Sequence, residues 1–159
     1  MNLHIAFSYW KFLSKHSLGK WFFSYLIRFI NPYTGNLGAR VDVFEKGHVE
    51  VILNDKRRNR NHLNSVHAIA LANLGEFCSG LAVLGSLPHG VRGIVTELSA
   101  QYLQKARGEL RAICHTQLPE VKEEMAYEVE AEIFNSENER VCLVHVTWQL
   151  GLVESKEAK

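Results

Sequence analysis

Apolar residues at positions 9, 10, 12 and 13, and then at 18, 21, 22, 25, 26, 29 and 30, recur at helical spacing. They predict one or two amphipathic helices that pack on the rest of the chain as a cover, with attachment to a membrane surface as the less favoured alternative. Lys20 and Arg28 bracket the most apolar run well short of the ~20 residues a spanning helix needs. No small-residue cleavage site follows it, as a secretory signal would require. Asn31-Pro32-Tyr33-Thr34-Gly35-Asn36 is dense in turn formers and closes this segment. The period then falls to two. Val41 and Val43 alternate with Arg40 and Asp42, and Val49 and Val51 with polar neighbours, so residues 38–44 and 48–53 read as a hairpin turning at Glu45-Lys46-Gly47. A polar loop over residues 54–61 carries Lys56, Arg57, Arg58 and Arg60.

From residue 64 to residue 87 the pattern is helical again, and Pro88-His89-Gly90 stops it. One stripe of this helix is small throughout: Ala68, Ala72, Gly75, Ser79, Ala82 and Ser86. Glycine costs an exposed helix about 1 kcal/mol, so Gly75, Gly80 and Gly85 predict a buried helix pressed against other backbone. Residues 94–103, 108–118, 127–134 and 141–150 are rich in Val, Ile, Thr and Tyr and read as strands. Glu128, Glu130 and Glu132 alternate with Val129, Ala131 and Ile133, giving one of these strands a wet face. The expected fold class is α+β: a long central helix wrapped by a curved antiparallel sheet. A domain over residues 33–152 follows an N-terminal helical segment, 1–32, and precedes a charged tail, 153–159.

At 159 residues the chain can bury one full core. A net charge of +1 argues against a broad nucleic-acid footprint. Cys78, Cys114 and Cys142 are widely spaced in apolar runs, fitting buried free thiols in a reducing compartment, and the expected location is cytoplasmic. His62 and His67 lack a third ligand at helical spacing, so no metal is expected. One residue stands out chemically. Glu76 is a lone carboxylate in an apolar helix, and burying it costs several kcal/mol unless it is paired with backbone or Arg, or used in chemistry.

The series Asn61, Asn64, His67-Ala68-Ile69, Leu74 and Glu76 keeps the spacing of a motif in hotdog-fold acyl-CoA thioesterases, in the branch similar to PaaI-like and YiiD C-terminal-like proteins. A second run, residues 96–112, with Thr96, Leu98, Tyr102-Leu103, Ala106 and Gly108, resembles that family's strand pair. The resemblance covers roughly residues 36–150. It implies a hotdog fold and hydrolysis of an acyl-CoA substrate, with coenzyme A as part of the substrate and no further cofactor. Glu76 would be the base or nucleophile, and the Ala68 backbone N–H the oxyanion donor. The chain departs from the motif where Ala68-Ile69 replaces Gly-Gly, where Asn64 replaces Gly, and where Lys105 replaces a frequent Pro.

The chemistry agrees with that assignment. An ionised carboxylate suits a general base or nucleophile, and the first turn of a helix offers unpaired N–H groups to an oxyanion. Asn73, one turn before Glu76, is placed to orient the acid or a water; His67 and Asn64 either position the thioester carbonyl or tie down the loop. Asn61, Arg58, Arg60, Lys105 and Arg107 are candidates for binding the coenzyme A moiety. Ala68 and Glu76 are eight residues apart, about 12 Å along a helix axis, whereas reacting groups meet within ~3.5 Å. One helix cannot place both at a single carbon, so the catalytic reading requires a homodimer, with a dimer of dimers left open. The alternatives are a non-catalytic acyl- or acyl-CoA-binding module and, less favoured, an acyl-thioester hydratase or dehydratase. The Gly-His-Phe-Pro and Asp-x-x-x-x-His strings of the latter are absent.

Overall fold

A computed structural model describes residues 9–153. The charged tail lies, apart from residue 153, outside the described residues, as do the first eight positions of the N-terminal segment. Helix α1 (Ser17–Ile30) and the short α2 (Pro32–Gly35) precede the hairpin of β1 (Arg40–Glu45) and β2 (His48–Leu53). A 3-10 turn at Arg57–Asn59 leads to the long helix α3 (Ala68–Leu84). Strands β3 (Val91–Tyr102), β4 (Leu110–His115), β5 (Met125–Phe134) and β6 (Arg140–Leu152) complete the chain. All six strands form one antiparallel sheet in the order β1-β2-β4-β5-β6-β3, and α3 touches every one of them. This is the expected helix wrapped by a sheet. The hairpin joins the later strands edge to edge through β2 and β4, and β3 crosses to the far edge, where it pairs with β6 alone.

The central helix starts at Ala68 rather than at residue 64. Asn64 has φ 52°, in the left-handed region that ends regular helix and that Asn tolerates better than other side chains. Asn therefore fills the conformational part of the glycine it replaces in the motif.

The outward face of α1 reverses the expectation. The stripe predicted to pack on the domain, Leu18, Trp21, Phe22, Tyr25, Leu26, Phe29 and Ile30, is exposed, whereas Phe23 and Ile27 are buried together with Ser24. Trp10 stacks edge-on against Phe23, which packs in turn near Phe44 of β1. The helix is apolar nearly all round, so periodicity alone could not say which side meets the core. Ser24 resolves it: its hydroxyl accepts the Val41 N–H at 2.9 Å and donates to the Lys20 carbonyl, so the one hydroxyl of α1 that is buried is satisfied.

The small stripe of α3 serves its own sheet. Gly75 faces β6 so closely that a Cβ there would lie 2.5 Å from the Val144 side chain, and Ser79 and Ala82 are fully buried. Gly75→Ala is expected to cost about 3 kcal/mol by forcing α3 off β6. Pairing it with Val144→Ala should recover part of that loss in urea unfolding; strict additivity of the two would mean that no such contact exists. Cys78, Cys114 and Cys142 are free and buried. Burial pushes the thiols of Cys114 and Cys142 up to about 12 and about 11, and it also raises that of Cys78, which reaches the carbonyls of Val49 and Ala112.

Candidate active site

Glu76 sits on α3 where two cavities meet. On one side is an apolar pocket of about 260 Å³, walled by Ile27 and Ile30 of α1, by Phe77, Gly80 and Leu81 of α3, and by Trp148 of β6. On the other is a cleft of about 510 Å³ that runs past Asn73, Ala72 and Ile69 to Leu98 on β3. Asn31, at the end of α1, borders both. Helix α1 is thus more than a cover: its inner face forms a wall of the pocket beside Glu76. Sequence reasoning missed Ile27, Ile30 and Trp148 here, because apolar residues in a helix and a strand carry no mark that separates core from pocket wall.

No described residue bonds to the Glu76 carboxylate or forms an ion pair with it. Burial without a partner raises its pKa above the ordinary glutamate value. The bland alternative, an acid satisfied by backbone or Arg, is not what the fold provides. Trp148 is in a similar position, with a buried indole N–H that has no acceptor among the described residues.

Around Glu76 the other predicted residues divide. Asn73 reaches the same cleft, and its side-chain oxygen accepts the buried Thr34 hydroxyl at 3.1 Å, which fixes the amide. Thr34 carried no signal in the sequence beyond its place in a turn. His67 is the N-cap of α3: its Nδ1 accepts the Ile69 N–H at 3.1 Å, and its own backbone N–H donates to Asn59. Of the two roles left open for His67, the loop-fixing one is occupied. The next N–H along, that of Ala68, has no acceptor among the described residues and stands at the positive end of the helix. The Ala68 carbonyl accepts the Tyr102 hydroxyl of β3 at 3.1 Å, tying the helix start to the sheet edge.

The basic residues are mostly engaged by the fold. Arg60 pairs with Asp55 at 2.7 Å, which holds the Asp55 carboxyl below its usual range. Arg107 donates to the carbonyls of Asn64 and Leu63, bracing the loop before α3. Asn61 accepts the N–H groups of Leu63 and Ser65 and shapes the same loop. Arg58 lies over Gly38, near the Leu37 carbonyl, and lines a polar groove with Arg60, His67 and Asn73. Lys105 lines a separate groove with Ala68 and Tyr102. The structure therefore gathers Glu76, Asn73 and Ile69 around one cleft and keeps Ala68 at the far end of the same helix. Four of the five coenzyme A candidates, Asn61, Arg58, Arg60 and Arg107, have local partners already.

Residues 19–150 match the family described as "Domain of unknown function (DUF4442)". No curated protein matches the chain. The structure is similar to a structural-genomics crystal structure whose description gives no function, with a TM-score of 0.80 and 24% identity over 95% of this chain and 99% of that one. It is similar as well to a Pseudomonas aeruginosa protein of unknown function described as a probable thioesterase (TM-score 0.74, 22% identity, 82% and 93% covered). A Haemophilus influenzae thioesterase aligns at TM-score 0.67 and 19% identity, covering 77% of this chain and 85% of that one.

Proposed function

The chain belongs to the DUF4442 family and has the hotdog fold, and on that premise we propose that it hydrolyses acyl-CoA thioesters at two equivalent sites of a homodimer. The observation that carries this reading is Glu76, a half-buried carboxylate with no partner among the described residues, between an apolar pocket and an open cleft. The acyl group lies in the pocket, and the thioester reaches the carboxylate from the cleft. Glu76 takes a proton from a water held beside it by Asn73, and the water oxygen attacks the thioester carbonyl. The oxyanion accepts the Ala68 N–H of the partner subunit. Collapse of the tetrahedral intermediate breaks the C–S bond, and the proton passes to the departing thiolate.

The free outer edge of β3 supports the dimer. Ile94 and Leu98 are exposed along that strand, Leu98 borders the Glu76 cleft, and Tyr102 holds the start of α3. A twofold partner added along this edge brings the start of its helix toward Glu76. Arg58, whose other partner is only the Leu37 carbonyl, and Lys105 line the two grooves and are proposed contacts for the coenzyme A phosphates.

The test is a free-thiol assay on a panel of acyl-CoAs with wild type and Glu76→Gln. Absence of turnover on the whole panel, or full rate in the variant, overturns the reading. Thermal stabilisation by acyl-CoA without turnover would instead assign the chain as a binding module. Gly80 gives a sharper handle on the acyl group. A Cβ there meets only ordinary contacts, 3.7 Å from Trp148 and 3.9 Å from Glu76, so a larger residue fits by growing into the pocket. At ~0.8 kcal/mol per buried methylene, losing room for two of them is about tenfold. Gly80→Leu is therefore expected to lower kcat/KM on long acyl chains by at least about tenfold relative to short ones; an unchanged chain-length profile would move the acyl group elsewhere.

A further inference from the structure

We propose that α1 is a membrane-docking helix that lies in the surface of an anionic bilayer and connects the bilayer's acyl region to the pocket beside Glu76. The centre of its outward face is apolar over its whole length: Leu18, Phe22, Tyr25 and Phe29 follow one another at helical spacing, and Leu18 and Phe29 are about four-fifths exposed. Trp21, exposed and stacked on Tyr25, flanks the row with the amphipathic ring favoured at lipid headgroups. A surface of this kind on one helix exceeds the scattered apolar residues of an ordinary soluble face.

Charge selects the occupant. Residues 1–42 contain Lys11, Lys15, Lys20, Arg28 and Arg40 against a single acid, Asp42, which pairs with Lys20 and Arg40, whereas the remainder holds 13 Lys and Arg against 16 Asp and Glu. A chain that is nearly neutral overall thus carries its net positive charge in the segment that holds the one apolar helix face, which favours an anionic membrane surface. A second copy of the chain fits less well. It would bring the same cations together, and a 14-residue helix about 21 Å long offers much less than the ~800 Å² per partner of a stable interface. Among the described residues no helix is long and apolar enough to cross a membrane, so α1 would lie in the surface.

Continuity with the pocket gives the docking a purpose. Ile27 and Ile30, on the inner side of α1, line the acyl pocket, and Ile30 is also half exposed at its rim. An apolar path therefore leads from the outward face, around the edge of α1, to Glu76. A substrate whose acyl chain is dissolved in a bilayer reaches the pocket without passing through water. This function for α1 rests on the thioesterase reading; the docking itself does not.

Tryptophan fluorescence with the full chain provides the test. Of the three tryptophans, Trp10 and Trp148 are buried and Trp21 is exposed, so a blue shift on adding vesicles reports Trp21. Vesicles of phosphatidylcholine with a minority of phosphatidylglycerol are expected to shift the emission and to co-sediment the protein, and pure phosphatidylcholine to do so more weakly. Raised salt should reduce the difference. Phe22→Ser with Phe29→Ser is expected to weaken sedimentation by at least about tenfold, since each lost ring removes more than 1 kcal/mol of buried apolar surface, while leaving turnover of short, soluble acyl-CoAs unchanged. No shift and no sedimentation with either vesicle overturns the proposal. So does concentration-dependent self-association of wild type that the double variant abolishes, which would give the face to a second copy. Vesicle binding without thioester turnover keeps the docking and removes the thioesterase reading; turnover without vesicle binding does the reverse.

Discussion

Glu76→Gln is expected to lower kcat on acyl-CoA by at least about a hundredfold and to make the fold more resistant to heat at neutral and higher pH. A positioned general base contributes about 10²–10⁴ in rate, and glutamine keeps the shape of glutamate while losing the basic oxygen. The stability gain has the opposite sign for a physical reason. Glu76 has no partner among the described residues in its half-buried position, and desolvation raises its pKa in the folded protein, so the ionised form is disfavoured there relative to the unfolded chain. Below the ordinary carboxylate pKa both states hold the proton and nothing is lost. As pH rises through the raised value, the folded protein must ionise an acid it cannot solvate, and stability falls. The difference in Tm between variant and wild type is therefore expected to be small near pH ~4 and larger near pH ~8. Wild-type kcat should rise with pH through that same raised pKa. A Tm difference independent of pH would show that the carboxylate charge is not what the variant relieves.

Ala68→Pro is the second large effect, and it tests the division of the site between subunits. The Ala68 N–H cannot be removed by an ordinary side-chain change, but proline removes it. Ala68 is the first residue of α3, where proline is tolerated, and His67 before it has φ −64° and ψ 141°, as a residue preceding proline requires. The helix should therefore form normally while the oxyanion loses its donor, a loss of about 10²–10³ in kcat. Mixing the two inactive variants then gives a distinctive result. In a mixed dimer one site takes Ala68 from the Glu76→Gln subunit and Glu76 from the Ala68→Pro subunit, and is whole; the other site has both defects. After random exchange of subunits about a quarter of wild-type activity should return. A site within one chain would give no recovery at any mixing ratio.

Much of this was open to reading from the chain. The run from Asn61 to Glu76 singled out the acid and its distance from Ala68, because helical geometry is local and residue numbers translate directly into distance, although the helix itself begins at Ala68 and not at residue 64. Val41, Val49 and Val51 marked the hairpin for the same reason, through a period of two. What failed to show was relational. Nothing in residues 91–102 says that β3 leaves its sequence neighbour β4 and pairs with β6 at the far edge. Nor does the row from Leu18 to Ile30 reveal that its inner side is Phe23 and Ile27, since both sides are apolar. His67 has two candidate roles in the sequence, and its bond to the Ile69 N–H is a contact that no spacing announces. Arg60 and Arg107 looked like free cations because the loop pairing of Arg60 with Asp55 follows no helical or strand period, and the carbonyls that hold Arg107 are backbone groups distant in sequence.

The three cysteines have a practical bearing on every rate measured by released thiol. A thiolate is the form that reacts with aromatic disulfide reagents, and burial holds all three thiols in the protonated form far above assay pH. The folded protein should thus be silent in such an assay, so that the signal counts coenzyme A alone. A slow burst of three equivalents per chain would record molecules unfolding, and the same cuvette would report the integrity of the folded protein.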